Sequence, residues 1–534
     1  MKKNRLLVLS LMAVLITCGC EDVNNTSNSA PKESTPIVEN SSTQQSSNVE
    51  QSSMQQSSNV EQSSTQQSSN IEQSSTPSSS NIEETSTEIL YDDKVLYVSA
   101  DANDFDAKGT IDDPMLIQWA VRYSKPGSTI YLLDGEYKWG STIMLDENTE
   151  YYPATNESER KYLKPLNKGK VKINFSQMAW NSSNRGIQIN NNYWTVSDLE
   201  VFGSGDNGIY IGGSYNVVEN CVTHDCGDSG IQLGRANSTL ETIDRWPSYN
   251  LIKNCTSYDN HDPLGEDSDG FACKLTTGVG NAFEGCIAYN NVDDGWDLYT
   301  KGDSGSIGPV TLRNCIAFNN GVTSGRHTNG KPYGTPNSDG NGFKLGGETI
   351  SVPHQVYNCI AFNNLASGFT DNSNPGPLYL ENCTAYNNGL RDADSNNYDM
   401  CRDENTSVNY IKNCLSYCDA NIKFTDGQIK HFNSKDQYKG TAVDSIFYYG
   451  RTMLQFKGIK ACDYTLSSML GEIIKTETTP FIDTTILDET TDFHSVWRDE
   501  NGDIKLNDFL KINEEFVKEA FGTESTINLG ADLS

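Results

Sequence analysis

Long apolar runs are missing from this 534-residue chain, and the one stretch near that size, Leu6 to Ile16, is too short for a comfortable transmembrane helix. Positive charge is also scarce. Lys and Arg number 40 against 71 Asp and Glu, a formal net charge of −31, which argues against nucleic-acid and anionic-lipid partners. A chain this acidic also repels an anionic substrate unless a cation bridges the two. Histidine numbers only 6, and no Cys–His spacing suggests a zinc site.

What the chain does contain begins with a leader. Lys2, Lys3 and Arg5 precede the apolar run, which ends in Thr17-Cys18-Gly19-Cys20, the layout of a signal peptide over residues 1–20. The terminal cysteine resembles the lipobox of bacterial lipoproteins. It predicts a secreted protein held at the cell surface by a lipid on Cys20, or on Cys18 as the alternative. Residues 21–90 are rich in Ser, Gln and Asn, with an 11-residue period marked by Asn48-Val49-Glu50, Asn59-Val60-Glu61, Asn70-Ile71-Glu72 and Asn81-Ile82-Glu83. That period can drive a right-handed coiled coil, but one apolar residue per period buries no seam. A disordered tether is expected, on the order of 45 Å between its ends.

The rest repeats. One series is Asn220-Cys221, Asn254-Cys255, Gly285-Cys286, Asn314-Cys315, Asn358-Cys359, Asn382-Cys383 and Asn413-Cys414. A second pairs glycine with an apolar residue: Gly186-Ile187, Gly208-Ile209, Gly230-Ile231, Gly270-Phe271, Gly295-Trp296, Gly342-Phe343 and Gly368-Phe369. From Gly208 the two alternate, giving one glycine strand and one cysteine strand per repeat. Short alternating runs punctuated by Gly and Asn are strands, and stacked repeats of two or three such strands make a solenoid. The fold is therefore a right-handed parallel β-helix over residues 91–430. A helical cap over Pro114 to Val121 follows a strand at Leu96 to Ser99, and a C-terminal extension, 431–534, packs on the outside with a helix from Asn513 to Phe521. Cysteines at one repeat position suit packing as small buried apolar groups, so mostly free thiols are expected.

Within this frame, Ile187, Ile209, Ile231, Phe271, Trp296, Phe343 and Phe369 form an inward ladder. The next residues, Gln188, Tyr210, Gln232, Ala272, Asp297, Lys344 and Thr370, point outward. Strands of neighbouring coils lie about 4.8 Å apart, so Asp269 stacks on Asp294, with Asp293 beside it and Asp297 next to Lys344. Carboxylates this dense repel unless a cation sits among them, and hard oxygen ligands from several strands favour Ca2+. Asp-Asp-Gly-x-Asp alone fits a solvated turn or a purely structural calcium site about as well as a functional site. Lys344 shifts the balance, because a lysine beside a bound dication has its charged form disfavoured and can act as a base. Lys274 is the rival, but it follows Phe271 by three and so falls outside the Asp297 ladder. Insertions at 235–249 and 322–339 flank these coils and could wall a groove.

Asp269, Asp293-Asp294-Gly295-Trp296-Asp297 and Gly342-Phe343-Lys344-Leu345-Gly346-Gly347 resemble the family 9 polysaccharide lyases, the pectate lyase and exopolygalacturonate lyase group. The likeness covers roughly 95–430, with a weaker echo in Arg498-Asp499-Glu500-Asn501-Gly502. It implies calcium bound by Asp269, Asp293, Asp294 and Asp297, Lys344 as base, and an acidic plant cell-wall polysaccharide cleaved by β-elimination by a monomer. Rhamnogalacturonan is the alternative substrate. A β-helical glycoside hydrolase or a non-catalytic pectin-binding surface protein are the readings from other classes.

Overall fold

The corners of each coil are set by asparagine. Asn220, Asn254, Asn314, Asn358, Asn382 and Asn413 all have φ of 52–54°, and Gly285 takes the same place with φ 62°. Asparagine tolerates this left-handed conformation better than most residues with a Cβ. The cysteine that follows therefore sits just past a corner, between two short strands such as Leu251–Lys253 and Thr256–Tyr258. Coils of three strands result, and the expected cysteine strand is two strands joined at a bend.

In the computed structural model, residues 94–534 are described except 105, 146–152, 325–337, 391–395, 402–408, 420–421, 424–428, 431–435, 450–451, 464–470 and 489. The expectations for the leader, Cys18, Cys20 and the linker lie outside the described residues. Strands pair in parallel from coil to coil as a right-handed β-helix, and 33 of them form one hydrogen-bonded system. The glycine strands run in register through Ile187, Ile209, Ile231, Phe271, Trp296, Phe343, Phe369 and Tyr398.

Inside, that register stacks rings. Centroids of Phe271, Trp296, Phe343 and Phe369 follow at 4.7, 4.8 and 4.9 Å. Each ring is fully buried, which stabilises by about 1.5–3 kcal/mol per side chain. A second ladder is polar: Asn260, Asn291, Asn320, Asn364, Asn388 and Asn397 pass Nδ2–H to the next Oδ1 at 2.8–3.0 Å. The seven corner cysteines are buried free thiols. Each points its Sγ at the carbonyl two residues earlier, at 3.2–3.5 Å.

At the N-terminal end the helix Ile117–Tyr123 buries Ile117, Ala120 and Val121, beside the strands Val95–Val98 and Thr129–Leu132. At the other end the sheets run past the expected boundary at 430. The strand Gln437–Tyr449 continues them in parallel with Asp399, Tyr410 and Leu415, then turns back antiparallel to Thr452–Asp463. The tail covers one outer face, where Phe493, Trp497 and Phe509 pack on Tyr289, Phe318 and Phe362, and Phe481 packs on Tyr386 and Tyr417. Arg498 fastens it by donating to the carbonyls of Gly285 (2.7 Å) and Cys255 (3.1 Å) at adjacent corners.

Candidate metal and catalytic site

The motif Asp293-Asp294-Gly295-Trp296-Asp297 makes sense as one layer of a stack. A Cβ on Gly295 would stand 2.6 Å from the carbonyl of Gly342 and 2.9 Å from the Ala317 methyl, so only glycine lets this coil close on the next. With the glycines aligned, Ala272, Asp297, Lys344 and Thr370 form one row. Just ahead of the glycines, the amide of Gly270 reaches the Asp294 carbonyl (2.9 Å) and that of Gly295 the Asn341 carbonyl (2.8 Å).

This brings three of the four expected ligands into one cluster. Asp269, Asp293 and Asp294 each offer a carboxylate oxygen within 4.8 Å of the others, and all three are buried. Asp297 joins through a shared cation: Lys274 Nζ lies 2.8 Å from Asp269 Oδ2 and 3.0 Å from Asp297 Oδ2. Lys344 Nζ sits 2.9 Å from Asp339 Oδ2 and 3.2 Å from Asp294 Oδ2, and 5.4 Å from the Tyr299 ring centroid. Several of the carboxylate oxygens are also held by the coils. Asp269 accepts from Ser229 Oγ (3.0 Å) and the Asp294 amide (3.1 Å). Asp294 Oδ1 accepts from the Asn341 amide (2.6 Å) and Nδ2 (2.9 Å), and Asp293 Oδ1 from the Asp339 amide.

Two participants escape a register argument. Lys274 is indeed outside the Asp297 row at the backbone, but its long side chain swings back to Asp269 and Asp297. Strand alternation thus gives its backbone place but not the place of its ammonium. Asp339 ends the 322–339 insertion, and its signal was the Asp at three residues before the strand glycine, the place Asp267 holds before Gly270.

The charge balance is uneven. Five carboxylates, of Asp269, Asp293, Asp294, Asp297 and Asp339, meet two ammoniums. Burial, reinforced by Asp294 and opposed by Lys344, pushes the Asp293 carboxyl well above the usual range. Burial pushes Asp294 to about 6 against the pull of Lys344. Asp269 is raised well above the ordinary value by burial, with Lys274 opposing and Asp297 and Asp294 adding. Burial works against both ammoniums, but the carboxylates outweigh it and hold Lys274 and Lys344 well above the ordinary lysine value. Asp297 Oδ1 and Asp294 Oδ2 are buried without a hydrogen-bond donor among the described residues, Lys344 standing near the latter as an ion pair outside hydrogen-bond geometry. Orphaned carboxylate oxygens in an all-oxygen, excess-negative pocket fit a hard dication such as Ca2+.

Residues 96–413 match a family described as the Pel9A-like, right handed beta helix region. Pectate lyase L of Paenibacillus polymyxa (strain SC2) is 37% identical over 418 residues, which cover 78% of this chain and 80% of that protein. Pectate lyase L of Thermoclostridium stercorarium is 44% identical over 296 residues, 55% of this chain but 22% of its own length. Pectate disaccharide-lyase of Dickeya chrysanthemi is 34% identical, covering 56% of this chain and 34% of that protein. The crystal structure of pectate lyase Pel9A shares the fold with a TM-score of 0.57 at 24% identity, over 78% of this chain and 89% of that one. A rhamnogalacturonan lyase does so with a TM-score of 0.55 at 21% identity, over 82% and 99%.

Proposed function

The chain belongs to the Pel9A-like right-handed β-helix family, and we propose that this pectate lyase cleaves polygalacturonate by calcium-dependent β-elimination with Lys344 as the base. The observation that carries the reading is the buried, excess-negative cluster of Asp293, Asp294 and Asp297, one coil from Lys344, with Asp269 two coils away. Calcium held by these carboxylates would supply positive charge that neutralises the uronate carboxylate and stabilises the charge left at C5.

The rest follows from the side chains. The C5 proton of a uronide lies α to the C6 carboxylate and is acidified by it. Lys344 Nζ, steered by Asp339 at 2.9 Å, takes that proton in its neutral form. The C–H electron pair becomes the C4–C5 double bond and the C4–O4 bond breaks. O4 departs with the leaving chain and gains a proton from water, which leaves an unsaturated uronide. The carboxylates hold Lys344 protonated while they are uncompensated, so compensation of their charge is what frees the amine to act. The leader and Cys20, or Cys18, support export and attachment of a monomeric enzyme to the cell surface through an N-terminal lipid.

The test is an ultraviolet assay for unsaturated product on de-esterified pectin and on rhamnogalacturonan, with and without a chelator, for the wild-type protein and Lys344→Ala. Product from pectin, lost in chelator and in the variant while calcium binding persists, is the expected result. Turnover by Lys344→Ala sinks the base assignment, and chain shortening in chelator without unsaturated product points to a hydrolase.

A further inference from the structure

The row that carries Lys344 does not stop at the metal cluster. It continues through Asp297, Ala272 and Gln232 to Tyr210 and Gln188 in successive coils. Beside its far end stands Trp180, 54% exposed. Large apolar side chains left in water are ordinary when loose, but this one is fixed. Its indole N–H donates to the Gly227 carbonyl at 3.0 Å. The amide of Asn181 donates to the Gly205 carbonyl at 2.9 Å, and Asn184 Nδ2 to that of Ala179 at 2.7 Å. The close approach needs bare backbone: a Cβ on Gly227 would meet Trp180 Cδ1 at 2.8 Å, and one on Gly205 the Ala179 carbonyl at 2.1 Å.

Gly205 and Gly227 each precede the strand glycine of their coil by three residues, as Asp339 does in the coil of Lys344. Trp180 therefore covers the edge of the sheet on which Asp339 meets Lys344. Three coil steps, from Ile231 through Phe271 and Trp296 to Phe343, separate the two, about 14 Å at the usual strand spacing. Five residues on from the indole in the chain, the Arg185 guanidinium carbon sits over Tyr210, 3.4 Å from the ring centroid. Its Nε donates to Asp206 Oδ2 at 3.3 Å, and its two terminal nitrogens have no protein partner among the described residues. A planar fork with free N–H groups suits a carboxylate, and a rigid indole face suits the apolar face of a sugar ring.

We propose that Trp180 and Arg185 form a distal subsite of the substrate cleft that takes one acidic sugar unit, its ring on the indole and its carboxylate on the free guanidinium nitrogens. The proposal rests on the polyuronide-lyase reading, and the experiment keeps the two apart. Calorimetry measures binding of octagalacturonate and trigalacturonate, with calcium present, to Lys344→Ala and to the same protein carrying Trp180→Ala or Arg185→Gln. Each second substitution should weaken octamer binding about tenfold, as expected for a lost stacking or charge-assisted contact, and shift trimer binding far less. Thermal melts that coincide with the parent show that the fold is intact. Undiminished octamer binding in both double variants overturns the subsite alone, as does an equal loss for trimer and octamer. No binding of either oligomer by the parent overturns the subsite and the substrate assignment together.

Discussion

Replacing Lys274 with methionine exposes how the carboxylate cluster is balanced. The ammonium bridges Asp269 Oδ2 and Asp297 Oδ2, at 2.8 and 3.0 Å, with 12% of the side chain exposed. Methionine keeps the volume and removes the charge. Breaking a buried pair by taking one partner costs about 3–5 kcal/mol, because an uncompensated charge is left behind. Part of that loss is recovered when the Asp269 carboxyl, already pushed up by burial, takes a proton. In chelator, then, Lys274→Met should lose about 2–4 kcal/mol, the broken-pair cost less that recovery. With calcium saturating, the carboxylates have a partner again and the deficit should shrink, so the calcium-induced rise in melting temperature is larger for the variant than for wild type. Paired thermal and denaturant melts in chelator and in calcium decide it. Equal deficits in both conditions, or none in chelator, refute the idea that ammonium and cation share these oxygens.

How much of this was legible in the sequence depends on what each residue's place required. The inward and outward rows were readable because side-chain alternation has period two and the glycines that fix register are visible as letters. Gly270, Gly295 and Gly342 align where the backbone leaves no room for a Cβ, so Asp297 and Lys344 could be put side by side from spacing alone. Corners were partly legible. Asn before Cys marked a turn, but nothing in the letters says that a left-handed φ there divides one strand into two. The end of the solenoid was misjudged because residues 437–449 carry no Asn-Cys mark, although the backbone still pairs in parallel. The contacts of Lys274 were not legible for a different reason. Register fixes Cα positions, whereas a four-carbon side chain spans more than one coil spacing, so charge attraction rather than strand position decides where its ammonium rests.

The remaining predictions probe the coil and its interior. Gly295→Ala forces a methyl to within 2.6 Å of the Gly342 carbonyl, an overpacking that should cost about 1–3 kcal/mol and weaken calcium binding by shifting Asp294 and Asp297. Denaturant titration and calorimetry read both effects, and an unchanged midpoint refutes the close-packing argument. Asn320→Ala removes one rung of the asparagine ladder and takes from the buried Asn291 amide its Oδ1 acceptor at 3.2 Å, while Asn291 Nδ2 keeps the Ser257 carbonyl and Asn364 Oδ1 keeps the amide of residue 320; a loss of about 1–3 kcal/mol for the orphaned amide is expected in the same titration, and a neutral outcome would show that the ladder is ornamental. His354 gives a pH dependence. It is fully buried, its Nδ1 accepts from the Val310 amide at 3.1 Å, and burial holds its pKa down to about 3 from an ordinary 6.5. Because the folded value lies below the unfolded one, the unfolded chain binds the proton first as pH falls below about 6.5, and stability drops from there until about pH 3. The full drop is on the order of 5 kcal/mol, so denaturant midpoints should fall between pH 7 and pH 4 in the wild type and fall less in His354→Gln. A histidine that titrates near 6.5 in the folded protein, followed by its ring proton resonances, would show that the cavity around it is wet and remove the reason for the slope.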